Sequence, residues 1–139
     1  MKRCCVITVL VSVLLSACAG TSRPLWHEVK LASGKTVKVT SFHLVWGIEH
    51  DERDAGKDSF ALEYVMAEPQ ADAARHEAEA REVFELVRPA SEQWGFPTAS
   101  IAAFPQPERK GRYDLYLFQR QPDGGWSLTR SEMRVFASD

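Results

Sequence analysis

The sequence predicts an α+β domain, one long amphipathic helix packed on a mainly antiparallel sheet, in the order β-β-β-α-β-β-β. Three observations lead there. Apolar and polar residues alternate around residues 25–31 and 59–66, the period of half-buried strands. Apolar residues then recur at three- and four-residue steps from Ala73 to Trp94, the period of a helix lying on a core. Three further strand-like segments, separated by proline- and glycine-bearing connections, follow. Strands grouped on either side of one helix, rather than alternating with helices, mark the α+β class.

In the first strand Leu25, His27, Val29 and Leu31 alternate with Trp26, Glu28 and Lys30, and Ser33-Gly34 supplies a turn. The second strand starts with Val37 and Val39 on one face, but Phe42, Leu44, Trp46 and Ile48 have the opposite parity. A change of phase inside an otherwise good strand predicts a bulge near Thr40 and Ser41, or a strand passing between two packing surfaces. A polar loop over 49–58, "EHDERDAGKD", joins it to a third strand in which Phe60, Leu62, Tyr64 and Met66 share a face.

Pro69 suits the first turn of the helix that follows, and Ala73, Ala80, Val83, Phe84, Val87, Ala90 and Trp94 form its apolar stripe. Arg75, Glu79, Glu82 and Glu85 fall on the opposite, solvent side, with Glu77 four residues before Arg81 for a favourable pair. His76 lies at the border of the stripe. Pro89 lacks the N–H and crowds the preceding turn, so a kink or a new short helix is expected there. Gly95 is a suitable C-terminal cap, and Phe96-Pro97 prevents continuation.

The last third reads as strands over 99–104, 112–120 and 126–136, connected by "PQPERKG" and "PDGG". In the middle one Tyr113, Leu115 and Leu117 face one way while Tyr116 and Phe118 face the other. Two apolar faces mark a central strand, or one whose second face is covered.

Ahead of this domain, Lys2 and Arg3 precede an apolar run from Cys4 to Leu15 that closes on Ser16, Ala17, Cys18, Ala19 and Gly20. That is the charged, apolar, small-residue order of a signal peptide. The run falls short of the roughly 20 residues needed to cross a bilayer. Leu15-Ser16-Ala17-Cys18 resembles the lipobox of bacterial lipoproteins in all four positions. The resemblance covers residues 1 to about 20 and implies cleavage after Ala17 by signal peptidase II, with a diacylglycerol group on the Cys18 thiol. Two or three acyl chains hold a protein firmly on its membrane, where one binds reversibly. Ala19, rather than an aspartate, follows the cysteine; by the same resemblance the periplasmic face of the outer membrane is favoured in a Gram-negative host. The expected organisation is therefore a signal peptide at 1–17, lipidated Cys18 with a short tether over 18–24, and a single domain over 25–139.

Composition narrows the function classes. Loss of Lys2 and Arg3 with the signal leaves 15 of the 17 basic residues against 19 acidic ones, a net charge of −4. That argues against nucleic acid as a partner. With Cys4 and Cys5 removed and Cys18 acylated, the domain has no thiol for a disulfide, a nucleophile or a metal.

The loop over 50–58 gathers His50, Asp51, Glu52, Asp54 and Asp58. As a calcium loop starting at Asp51 it has its glycine, Gly56, but Arg53 and Ala55 stand at ligand positions and Leu62 at the twelfth. The four histidines form no HExxH pattern, no GxSxG elbow is present, and the acids lie on a helix surface and in loops. No cofactor, metal or catalytic residue is therefore expected. Trp46 and Trp94 fall on core faces; Trp26 and Trp126, at strand starts, suit contact with a protein partner.

The expected function is that of a non-catalytic, lipid-anchored interaction or envelope accessory module. The alternatives are an immunity or inhibitor lipoprotein whose acidic loop, through Asp51, Glu52 and Asp54, enters a cationic cleft, and, behind it, a small hydrolase.

Overall fold

The computed structural model describes residues 27–45 and 58–135. They form an α+β fold of one helix on a six-stranded, mostly antiparallel sheet. The elements are β1 (His27–Lys30), β2 (Thr36–Val45), β3 (Ser59–Val65), α1 (Ala73–Trp94), β4 (Thr98–Phe104), β5 (Gly111–Arg120) and β6 (Trp126–Val135). The strands lie in chain order across the sheet. Every neighbouring pair is antiparallel except β3 and β4, which run parallel because the helix crosses between them.

The two outer hairpins turn in the same way. Leu31 N–H donates to Lys35 O at 2.8 Å and Gln121 N–H to Gly125 O at 2.8 Å. Gly34 and Gly124 take φ of 88° and 86°, a left-handed backbone that side-chain-bearing residues adopt at a cost.

The phase change in β2 is a bulge. Val39 pairs with Tyr64 and Ser41 with Glu63, so the register shifts at Thr40. The extra residue brings Phe42 and Leu44, opposite Leu62 and Phe60, onto the same face as Val37 and Val39. All four then pack in or against one core.

That core lies between the sheet and α1. Phe60, Leu62 and Tyr64 of β3, Ala99, Ile101 and Ala103 of β4, and Tyr116 and Phe118 of β5 meet Ala80, Val83, Phe84 and Val87 of the helix. The Phe84 and Phe118 rings stack at 3.9 Å between centroids, and Trp126 meets Phe84 edge-on at 5.1 Å. Phe96, just past the helix, packs edge-on against Phe60 at 4.9 Å.

The helix departs from expectation in four respects. It begins at Ala73 rather than near Pro69, because Asp72 is the N-cap and accepts from Arg75 N–H at 2.9 Å. It runs unbroken through Pro89 to Trp94; the lost hydrogen bond falls on the carbonyl of Glu85, a residue exposed to water. Glu79, expected on the solvent side, is 3% exposed and faces the core, while Trp94, expected in the core, is 46% exposed. At about 100° per residue Glu79 lies only roughly 40° from Val83, at the border of the stripe and not opposite it, whereas Trp94 falls on the stripe but is the last residue of the helix. The Gly95 cap is as expected, with φ 72° and Phe96 N–H donating to Ser91 O at 2.9 Å. So is the Arg81–Glu77 pair, at 2.8 Å.

Candidate functional site

Alternation along the strands divides the sheet into a covered face and an open one. The helix lies over β3 and β4 on the covered face, and among the described residues no element packs on the other. Across β3 to β6 the register aligns Ala61, Ser100, Leu117 and Thr129 in one row and Glu63, Ala102, Leu115 and Ser131 in the next. Small side chains on β3 and β4 beside larger ones on β5 make a trough, and a groove of about 460 Å³ opens there, reaching from His43 to Val135.

One end of the groove is closed by the β4–β5 connection. Arg109 reaches back over the sheet to pair with Glu63, and its guanidinium lies 5.9 Å from the Phe104 ring. Phe104 stacks on Tyr113 at 4.6 Å. Phe104 and Ala102, though 4% and 8% exposed, are no part of the core beneath the helix. Beyond them Met133 on β6 is 40% exposed. The middle of this face is mainly small and apolar, and the Arg109–Glu63 pair at its end engages Glu63 through Oε1, leaving the buried Oε2 without a hydrogen-bond partner among the described residues.

A second constellation lies at the N-terminal end of α1, on the covered face. Asp114 of β5, 6% exposed, accepts from Arg130 Nη2 on both oxygens, at 2.8 and 3.0 Å. The Tyr116 hydroxyl donates to it at 3.4 Å. His76 stands with Nδ1 3.8 Å from Asp114 and Nε2 3.0 Å from the Glu68 carbonyl oxygen. Burial, then the Asp114 charge, push the Tyr116 hydroxyl up to about 12, and the hydrogen bond to Asp114 raises Arg130 further. Deeper in, Glu79 accepts from Ala67 N–H at 3.3 Å. Burial raises its carboxyl above the ordinary 4.5. Burial and then the Glu79 charge raise the neighbouring Tyr64 hydroxyl. Asp114 and Arg130 neutralise one another, with both Asp114 oxygens engaged; Glu79 and Tyr64 are shifted first by burial, and the buried Tyr64 hydroxyl has no hydrogen-bond partner among the described residues.

Of the residues singled out in the sequence, Cys18, Trp26, Trp46, Asp51, Glu52 and Asp54 lie outside the described residues. Trp126 is described and is half-buried rather than a free edge. Its ring packs on Phe84 and its indole N–H donates to Glu92 at 3.0 Å. Trp94 is the more exposed indole, although it still approaches Phe60 and Phe96 at 5.9 and 6.1 Å between ring centroids. Among the described residues no group of three or more histidines, cysteines or acids is placed to hold a metal.

The open face had a signal in the sequence, the apolar residues on both sides of β5. The Asp114 network had none, since its members are separated by up to 54 positions and joined by the fold alone. No family model, curated protein or solved structure matches this chain.

Proposed function

We propose that this chain is a lipid-anchored envelope protein, held by acylated Cys18 at the periplasmic face of the outer membrane. It works there as a non-catalytic module that docks a protein partner on the open face of its sheet. One observation carries the docking role: Ala61, Leu115 and Leu117, half-buried on that face beside Ser100 and the buried Ala102, line an open groove on which no described element packs. A contiguous apolar patch rimmed by polar residues marks an interaction site on a soluble surface. The non-catalytic reading is supported by the mutual engagement of Asp114, Arg130 and Tyr116, which leaves none of them poised toward a substrate.

Two measurements test this. Mass spectrometry of the membrane fraction is expected to find a mature N-terminus at acylated Cys18; an uncut or unacylated product refutes the anchor. A photo-crosslinking residue at Leu117, in intact cells, is expected to capture a protein that the same residue at Ala78, exposed on the helix, does not. Equal capture from both positions, or none from Leu117, refutes the docking face.

A further inference from the structure

β6, at one edge of the sheet, has ten residues. β6 pairs with β5 without a register shift from Trp126 to Val135 and contains neither proline nor glycine. Edge strands are ordinarily shortened, bent or interrupted, because their unpaired N–H and C=O groups invite another strand. β6 has none of these devices.

Among the described residues no strand pairs with the outer side of β6, and the direction of its outward groups follows from the hairpin. Arg120 donates its N–H to Pro97 O, on the β4 side, so Arg120 and Trp126 form a non-hydrogen-bonded pair and Trp126 presents its backbone groups outward. By alternation Leu128, Arg130, Glu132 and Arg134 do the same. These residues carry their charges on the helix side of the sheet, where Glu132, opposite Asp114 of β5, pairs with Arg112 of β5 at 3.1 Å and Arg130 with Asp114 at 2.8 Å.

We propose that the chain forms a two-fold dimer in which β6 pairs antiparallel with β6 of a second copy, in a register centred on Ser131. This register places Arg130 opposite the partner's Glu132, and Glu132 opposite the partner's Arg130. Each Glu132, paired with Arg112 on its inner side, then gains a second cation on its outer side, while Arg130 keeps its contact with Asp114 on the inner side. Thr129 meets the partner's Met133, Leu128 meets the aliphatic stem of the partner's Arg134, and residues 127–135 overlap. Moving the centre by one residue destroys the match: centring on Arg130 opposes arginine to arginine, and centring on Glu132 opposes glutamate to glutamate. Like charges directly opposite destabilise a strand pair, and opposite charges stabilise it. Centring on Met133 also opposes Glu132 to Arg134 but overlaps only residues 131–135 of β6, so the Ser131 register is the charge-matched one that pairs almost the whole strand. The second copy is the one partner guaranteed to carry the complementary sequence, and a two-fold contact of this kind closes on itself without forming a filament. The result is one continuous twelve-stranded sheet with both helices on the same face. The proposal is independent of the open-face docking role.

The test uses the full-length chain in its own membrane. Ser131 lies on the two-fold axis in a non-hydrogen-bonded pair, where Cα atoms are about 4.5 Å apart, within disulfide range. Under mild oxidation Ser131→Cys is expected to give a disulfide-linked homodimer. Thr129→Cys, about 13 Å from its own copy at four strand residues' separation, is expected to give none. Adding Glu132→Arg to Ser131→Cys puts like charge opposite Arg130 and is expected to lower the dimer yield about tenfold, with the melting temperature checked to show that the fold survives. Absence of the Ser131→Cys dimer, equal yields from Thr129→Cys, a crosslink to a different protein, or no effect of Glu132→Arg overturns the proposal. Native mass spectrometry of the unsubstituted chain in detergent gives a reading free of any substitution: dimers are expected, and monomers alone overturn it.

Discussion

Phe84 is the residue through which the helix holds the sheet, and its removal tests the packing directly. The side chain is 4% exposed. One face of its ring lies flat on Phe118, with an interplanar angle of 5° and 3.9 Å between centroids, and Trp126 meets it at 64°. Phe84→Ala removes the contact on both neighbours and leaves a cavity that the flanking strands cannot close without breaking their ladders. Deletions of this kind cost about 3–5 kcal/mol. At roughly 4 °C per kcal/mol for a domain of this size, that lowers Tm by about 12–20 °C. Urea unfolding followed by tryptophan fluorescence measures the loss, and Trp126, in contact with Phe84, reports it locally. A double-mutant cycle with Phe118→Ala is expected to give a coupling of about 0.5–1.5 kcal/mol from the stacked pair. A loss below 1 kcal/mol, or strict additivity with Phe118→Ala, refutes the claim that this stack joins helix to sheet.

Two further predictions concern residues whose roles the fold assigns. Glu79 has its folded carboxyl pKa raised by burial, so the folded chain holds that proton more tightly than the unfolded one. Its stabilising contribution is therefore complete below the ordinary 4.5 and is lost as pH climbs through the raised value. Glu79→Gln keeps an acceptor for Ala67 N–H and removes the titration; urea midpoints from pH 4 to 8 are expected to show the variant gaining on the parent as pH rises, and the opposite trend refutes the assignment. Deleting both Thr40 and Ser41 removes the bulge together with one step of the alternation and turns Phe42 and Leu44 to the open face, whereas deleting Thr40 alone leaves them opposite Leu62 and Phe60 on the core face. The double deletion is expected to cost at least about 3 kcal/mol, from the loss of two large apolar contacts, and the single deletion far less; equal urea midpoints for the two variants refute the register.

What the sequence by itself determined is what depends on near neighbours in the chain. The alternation of Phe60, Leu62 and Tyr64, the Gly95 cap, the Glu77–Arg81 pair and the Thr40 bulge are each set within a few residues, so period and turn chemistry suffice to read them. The proposed lipobox is equally local, resting on a resemblance over the four consecutive residues Leu15 to Cys18. Tertiary structure decided what depends on which surface an element meets. A period places Glu79 and Trp94 on a wheel but does not say how wide the buried arc is or where the helix outruns its cover; Glu79 at the border of the stripe is 3% exposed, and Trp94, the last residue of the helix, 46%. The apolar second face of β5 was legible, but whether anything lies on it is a question of layers. Asp114, Arg130 and His76 meet because β5, β6 and α1 converge at one end of the core, and no spacing in the sequence encodes that meeting. The outward direction of the β6 backbone follows in the same way from the hydrogen bond between Arg120 and Pro97, two residues brought together only when β4 and β5 pair.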